Sequence, residues 1–446
     1  MRAKNILLLS TIILKLLDSI KKKNKRLLLL GGAPLYIGYG KTICRSTYFF
    51  YKTIPMILGY KFRNKSKSMD KLHEKHSKTL LKVCNNLGGI YVKLGQQFCN
   101  SEDIFPEIYQ RRLEPLLENV KPVNYKNIEA LLKKQTIFSK LDFIAKTPLG
   151  SASLGQVYKA VYKGEDVVLK VLKPQVKENT KGDLFVINMA IKVGLPGLKQ
   201  LMRDFSRITL TEFNFLDEGR IMLELKKKIN LEGIYFPKIY LELSTPKVLC
   251  LEFINGESLI NYIKKDNVGV NMYLFGKVME LMYYQIFLVG LFTSDPHPGN
   301  FFVQERENNK PLLIPLDFGQ VGRLDKKNIE YLKKLLYALK YNNETEILLT
   351  LDLMGFKSKN SGKDIDKLKI RYAQCMFKDY MLENVYTFEK LSNDIGWNEI
   401  PLEYMLINKA FITLGALISF SKLNIGIIDL FIMIDNAFNS EKNNLC

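Results

Sequence analysis

The chain has 446 residues, 47% hydrophobic and 25% charged, which supplies enough apolar material for a buried core and excludes a disordered or low-complexity protein. Lys and Arg number 66 against 45 Asp and Glu, a formal charge of +21, and residues 1–69 alone hold 15 basic side chains against the single acid Asp18. A surplus gathered at one end, instead of spread with aromatics over a folded surface, argues against a nucleic-acid binder and for targeting or a membrane surface.

In chain order, residues 5–17 are apolar apart from Lys15, and the basic run Lys21 to Arg26 follows without a small-residue cleavage site. Leu27 to Gly40 is an apolar run of fourteen, short of the roughly 20 residues a membrane span needs. Extending it to Tyr60 takes in Lys41, Arg45 and Lys52. Residues 1–69 therefore read as a transit sequence, a membrane-associated segment or both, with a plain helical extension as the alternative. Gly38 to Thr42 looks like the end of a phosphate-binding loop, but Leu35 stands where that motif needs glycine. From Asp70 onward Leu72, His76, Leu80, Val83, Leu87, Tyr91, Leu94 and Phe98 recur as one helix face does. Gly88-Gly89 should mark a break or a close-packing point, and Pro106, Pro115 and Pro122 mark turns in a helical region over 70–141. His73 and His76, among Lys71, Glu74, Lys75 and Lys78, read as a solvated face and not as metal ligands. The six cysteines include no C-x-x-C pair and imply no disulfide framework.

The period changes over residues 142–254. Valines and tyrosines flank the turn Lys163-Gly164-Glu165-Asp166, residues 183–230 read as helical, and 247–254 as another strand. Residues 255–446 are mostly helical, with loops at Tyr341 to Glu344 and Lys357 to Lys363. The apolar stretch Met405 to Ile434 is interrupted by Lys409 and Lys422 and reads as helices of a domain core, not as a span. The fold class is α+β: a small β-rich N-lobe followed by a larger helical C-lobe, the outline of a protein-kinase-like fold.

Three motifs stand in matching order. Gly150-Ser151-Ala152-Ser153-Leu154-Gly155-Gln156-Val157 follows the phosphate loop G-x-G-x-x-G-x-V with Ala152 for the middle glycine. Alone it is indistinguishable from a glycine-containing turn. Val167-Val168-Leu169-Lys170 matches the strand lysine that pairs nucleotide phosphates, and alternation puts Val168 and Lys170 on one face. Asp295-Pro296-His297-Pro298-Gly299-Asn300 spaces Asp and Asn five apart, as a catalytic base and a magnesium-ligating amide are spaced, and Leu316-Asp317-Phe318-Gly319 follows a hairpin. Magnesium takes oxygen ligands, so Asp317 and Asn300 with phosphates make a sensible site. Pro315 fits only an edge position, since it cannot donate to a sheet ladder.

With these residues assembled, the chain resembles the UbiB/aarF-domain family of atypical kinase-like proteins over roughly residues 45–430. The alanine-bearing loop, Lys93-Leu94-Gly95-Gln96 as the family's K-x-G-Q motif, Asp295 to Asn300 and Leu316 to Gly319 carry the resemblance. It implies ATP or ADP with Mg2+ as cofactors. The nucleotide set would be Gly150, Ser151, Ala152, Ser153, Gly155, Gln156, Val157, Lys170 and Glu252, with Asp295 as catalytic base and Asn300 and Asp317 as metal ligands. Glu218 would be the helix partner of Lys170, although the residues alone do not choose among Glu212, Glu218 and Glu224. Lys93 and Gln96, with Glu212, would form a regulatory extension across the active site. Spacing alone makes Lys93 a helix-surface lysine before a glycine break. The family's E-x-D motif reads Glu212-Phe213-Asn214 here, and Thr293-Ser294 replaces the His-Arg of typical kinases. The resemblance further implies an ATPase or lipid phosphotransferase in quinone or lipid homeostasis at an organelle membrane, mitochondrial or else plastid. The implied partners are a nucleotide, a lipid or quinone-precursor molecule, a membrane surface and a lipid-biosynthetic complex. The other reading is a nucleotide-sensing pseudokinase scaffold.

Overall fold

The computed structural model describes residues 33–61, 68–99, 106–118, 120–194, 199–265, 268–307, 309–377, 391–420 and 425–444. The runs 5–17 and 21–26 and Lys422 lie outside them. The chain forms two compact units, one of Met1–Leu132, Pro148–Gln156 and Leu172–Leu210, the other of Lys133–Thr147, Val157–Val171 and Thr211–Cys446.

The first unit opens with α1 (Ala33–Lys61), α2 (Met69–Leu87), α3 (Ile90–Cys99) and α4 (Glu107–Leu113), then a single turn at Pro115–Glu118 and α5 (Tyr125–Lys134). Gly38 to Thr42 lie inside α1, so they form no phosphate loop. Among the described residues no helix is long and apolar enough to cross a membrane. Ser68 starts α2 by accepting the Asp70 N–H at 3.2 Å. The helix stops at Leu87 because Gly88 and Gly89 take φ of +64° and +54°, a region that side chains disfavour. The regular stripe of α2 and α3 then buries Val83, Leu87, Ile90, Tyr91 and Leu94 against Leu184 and Ile187 of α6 (Val176–Gly194) and Phe205 of α7 (Lys199–Thr211). Arg45 of α1 clasps Asp183, which is 1% exposed, at 2.6 Å.

Two sequence expectations fail in this unit. His76 is not on a solvated face: it is buried beside Gly59 of α1, whose added Cβ would sit 2.9 Å from its ring, and burial holds its imidazole below the usual histidine value. It belongs to the apolar stripe, while His73 stands edge-on to Tyr109. Nor does Gly95 break a helix. α3 runs through it, and a Cβ there would lie 2.5 Å from Leu116 Cδ1 and 3.0 Å from Cys84 Sγ, so the glycine permits close packing.

In the second unit β1 (Phe143–Ile144), β3 (Gly155–Tyr162), β4 (Glu165–Leu172) and β5 (Val248–Glu252) form an antiparallel sheet in the order β1-β3-β4-β5, while the short strand β2 (Gly150–Ser151) belongs to the first unit. The β3–β4 turn is shorter than expected. Only Lys163 and Gly164, at φ +51° and +75°, make it, the pair of positive values that suits a two-residue hairpin. Next come α8 (Phe215–Lys228), β6 (Glu257–Ser258) and α9 (Val268–Tyr283), which continues as a π-helical turn to Val289. β7 (Leu291–Thr293) pairs with β10 (Val321–Arg323), and β8 (Phe301–Arg306) lies between β6 and β9 (Asn309–Pro315). Pro315 thus ends an outer strand, where its missing N–H is harmless. Helices α10 (Lys326–Lys340), α11 (Glu344–Leu353), α12 (Lys363–Phe377), α13 (Leu402–Phe420) and α14 (Ile427–Asn444) complete the unit. Lys357–Ser358, expected within a loop, instead pairs with Trp397–Glu399.

Candidate active site

The second unit gathers its charged groups from one strand, one helix and two loops. On β4, Val167, Leu169 and Val171 are buried, so alternation turns Val168 and Lys170 to the other face. Lys170 pairs across the ladder with Leu249 of β5. Helix α8 buries Phe215, Glu218, Gly219, Met222 and Leu225, the spacing of one helix face. Its approach to β5 depends on Gly219, because a Cβ there would lie 2.8 Å from Leu249 Cδ1. Glu218, one residue earlier, thereby reaches Lys170 at 2.7 Å. The ammonium also lies 3.5 Å from Asp317 and 5.1 Å from the centre of the Phe215 ring.

Geometry therefore separates the three glutamates that the residues alone left open. Glu218 meets Lys170, Glu224 pairs with Arg323 and Lys228, and Glu212 accepts from the Gln320 side-chain amide. Burial pushes the Glu218 carboxyl above the usual carboxylate range, against the pull of Lys170. For Lys170, burial opposes the charge, yet Asp317 and Glu218 outweigh it and hold the ammonium above the ordinary lysine value.

The two loops are fixed by two strand pairings. β7 and β10 place Thr293 opposite Val321, and the Ser294 N–H donates to the Gln320 carbonyl at 2.9 Å. Thr293 and Ser294, which replace His-Arg, are buried there. At the open end of the β8–β9 hairpin the Leu316 N–H donates to the Asn300 carbonyl at 2.9 Å, setting Asn300 beside the segment that carries Asp317. Asn300 Nδ2 donates to the Asp295 carbonyl at 3.0 Å, which leaves Oδ1 as the end that can meet a cation. Asp317 Oδ1 accepts the Gly319 N–H at 2.8 Å, and Glu218 accepts the Phe318 N–H at 3.3 Å. Phe318 is 1% exposed and stacks on Phe236. The Asp317 side chain is 41% exposed and so within reach of a ligand.

A residue that sequence reasoning passed over completes this cluster. Lys409 of α13 sits with Nζ 3.1 Å from Asp295 Oδ2 and also donates to Gln320 Oε1. The available signal was a lysine interrupting an apolar helix.

The other expected residues make contacts of their own. The Glu252 carboxylate accepts from Tyr235 Oη at 2.6 Å and the Lys238 N–H at 2.9 Å. Asn214 precedes α8, its amide N–H donating to Asp217 while its oxygen is buried without a partner. In the first unit the loop closes on itself, the Ala152 N–H donating to the Gly155 carbonyl at 2.9 Å. Lys173 pins it by donating to the Ala152 carbonyl at 2.6 Å. Ser153 is buried, the Ser151 hydroxyl is buried without a partner, and Gln156 is fully buried with its side-chain oxygen accepting the Val123 N–H at 2.7 Å. Val157 continues β3. Lys93 and Gln96 lie half-buried on α3, where Gln96 Nε2 donates to the Leu116 carbonyl at 2.8 Å.

An oxygen-only pair, Asp317 and Asn300, suits a hard cation better than a thiol- or imidazole-seeking metal. Among the described residues no group of three or more His, Cys, Asp and Glu could hold an ion by itself. Magnesium takes one or two protein oxygens and completes its shell with phosphates and water, and Asp317 with Asn300 offers such a pair.

Residues 115–350, which include Lys170, Glu218, Asp295, Asn300 and Asp317, match the ABC1 atypical kinase-like domain. The chain is 28% identical over 382 residues to a Clostridium pasteurianum protein described as an uncharacterised protein in the hydrogenase 1 5′ region, covering 81% of this chain and 70% of that one. It is 31% identical over 272 residues to a probable protein kinase UbiB of Azotobacter vinelandii, covering 57% of this chain and 50% of that protein. A 31% match over 267 residues to AarF domain-containing protein kinase 1 of Gallus gallus covers 56% of this chain and 50% of that protein. The chain thus spans about half the length of the UbiB and AarF kinases it matches. It belongs to the ABC1 atypical kinase-like family, the UbiB/aarF group, and has that family's mixed α+β kinase-like fold.

Proposed function

We propose that the chain binds ATP with Mg2+ and hydrolyses it or transfers its terminal phosphoryl group to a small lipid-like acceptor. The observation that carries this reading is the Lys170 ammonium held 2.7 Å from Glu218 and 3.5 Å from Asp317, a cation kept charged beside an exposed carboxylate. In this reading Lys170 orients the nucleotide phosphates, while Asp317 and the Asn300 side-chain oxygen hold the metal. Magnesium would supply charge neutralisation across the phosphate oxygens. Asp295, its backbone carbonyl tied to Asn300, orients the attacking water or hydroxyl and accepts its proton.

The family resemblance extends the proposal to quinone or lipid homeostasis at an organelle membrane, mitochondrial in the first instance and plastid as the alternative. A quinone-precursor or lipid molecule and a lipid-biosynthetic complex are the partners proposed. The charge crowded into residues 1–69 supports an anionic membrane surface. Asp317→Asn should reduce ATP turnover by at least about 100-fold, the scale of losing one electrostatic contact to the transition state. Unchanged ATPase activity in that variant overturns the reading. The unpartnered Asn214 oxygen, where the family has an acid, favours a nucleotide-sensing scaffold instead. ATP binding without turnover by the wild type, in the presence of candidate lipids, decides for that second reading.

A further inference from the structure

Two lysines serve the carboxylates of this site, and they serve opposite ends. Lys170 is committed to Glu218 and Asp317. Asp295 is met by Lys409, which arrives from α13, 114 positions along the chain. The loop from Asp295 to Asn300 contains no lysine or arginine of its own. An anionic phosphoryl group moving toward a bare aspartate would be repelled, so the position calls for a local positive charge.

An ordinary half-exposed ion pair would be worth little and would need no further support. Lys409 has support. Gln320, 8% exposed, donates its side-chain N–H to Glu212, and that bond turns its oxygen toward Lys409. Both acceptors of Lys409 are thus oriented by other bonds: Gln320 by Glu212 and by the pairing of Ser294 with the Gln320 backbone, Asp295 by its N–H to Thr293 Oγ1 at 3.3 Å and its carbonyl to Asn300. The chain Glu212–Gln320–Lys409–Asp295 joins the segment ahead of α8, the residue after Asp317-Phe318-Gly319, helix α13 and the proposed base.

We propose that Lys409 is a positioning residue for phosphoryl transfer, holding the Asp295 carboxylate in place and offsetting its charge as the terminal phosphate approaches. This rests on the function proposed above. In the step, the acceptor oxygen bonds to the terminal phosphorus, the bond to the bridging oxygen breaks, and ADP leaves with the electron pair. The acceptor proton goes to Asp295. In this role Lys409 would act on the terminal phosphate, so it should matter for ATP and not for ADP.

The test uses the full chain with Lys409→Met and Lys409→Arg, reading steady-state ATP hydrolysis and, separately, affinity for Mg-ATP and Mg-ADP by thermal shift. Lys409→Met should lower kcat at least about 100-fold and raise KM for ATP at least about 5-fold, and Lys409→Arg should recover about 10-fold or more of kcat. Lys409→Met should bind ADP as the wild type does and lose at least about 5-fold in its preference for ATP over ADP. Turnover in Lys409→Met within about 3-fold of wild type overturns the inference. So does loss of ADP binding in both variants, which marks a merely structural lysine. If the wild type shows no turnover, the proposed function fails and the inference with it, whereas turnover in the wild type that Lys409→Met retains overturns the inference alone. Should Lys409→Met not fold, Lys409→Gln is read by the same two measurements.

Discussion

At the scale of single residues, the site is a problem of burying unlike charges together. Glu218 is 2% exposed in its side chain, and without Lys170 it would be a desolvated carboxylate with only the Phe318 N–H to accept from. Removing one partner of such a pair costs more than removing both. Lys170→Met is expected to destabilise the protein by about 3 kcal/mol, and the double variant Lys170→Met/Glu218→Gln to recover at least about 1 kcal/mol of that. Denaturant titration of the wild type, Lys170→Met, Glu218→Gln and the double variant measures the coupling, and strictly additive losses contradict it. The choice of Glu218 over Glu212 and Glu224 is a fact of the same kind. All three are glutamates in one stretch of thirteen residues, and only the angle at which α8 leaves Asn214 decides which one meets the lysine.

At the scale of elements, that angle depends on one absent side chain. α8 lies close against β5 at Gly219, where any Cβ would fall 2.8 Å from the Leu249 methyl. Leu249 is fully buried and is the strand partner of Lys170, so it has little room to yield. Gly219→Ala should improve helix propensity yet overpack this contact, for a net loss of about 1–3 kcal/mol. It should also move Glu218 off Lys170, seen as weakened Mg-nucleotide binding by thermal shift. A variant more stable than wild type, with nucleotide affinity intact, would show that the helix does not need the space. The β7–β10 and β8–β9 pairings do the corresponding work for the loops, since each delivers one of the acidic residues, Asp295 or Asp317, at the end of a ladder.

At the scale of the whole molecule, stability should carry the mark of a lysine buried for structural reasons. Lys173 is 7% exposed, donates to the carbonyls of Ala152 and Lys121, and is drawn down by burial from 10.5 to about 8. Below pH 8 it is charged in both folded and unfolded chains, and folding bears the full desolvation cost. Between pH 8 and 10.5 the folded protein has released the proton while the unfolded chain still holds it, so stability rises with pH. The gain across this window is about 3 kcal/mol. Subtracting the pH profile of Lys173→Met from that of wild type should isolate this rising limb, and a flat difference from pH 8 to 10.5 would refute it. The first unit, which holds Lys173, is assembled from three stretches of sequence, Met1–Leu132, Pro148–Gln156 and Leu172–Leu210, so no boundary read along the chain reproduces it.

The sequence by itself determined what local chemistry can state. Alternating valines made β4, a glycine pair ended α2, a turn beginning at Lys163-Gly164 joined β3 to β4, and the intervals from Asp295 to Asn300 and on to Asp317 carried the family resemblance, because each depends on neighbours along the backbone. Tertiary structure alone decided that Glu218 meets Lys170, that His76 is buried, that Gly95 packs instead of breaking its helix, and that Lys409 reaches Asp295. These contacts join residues tens to more than a hundred positions apart, and their formation depends on how whole faces pack, which no interval in the chain records.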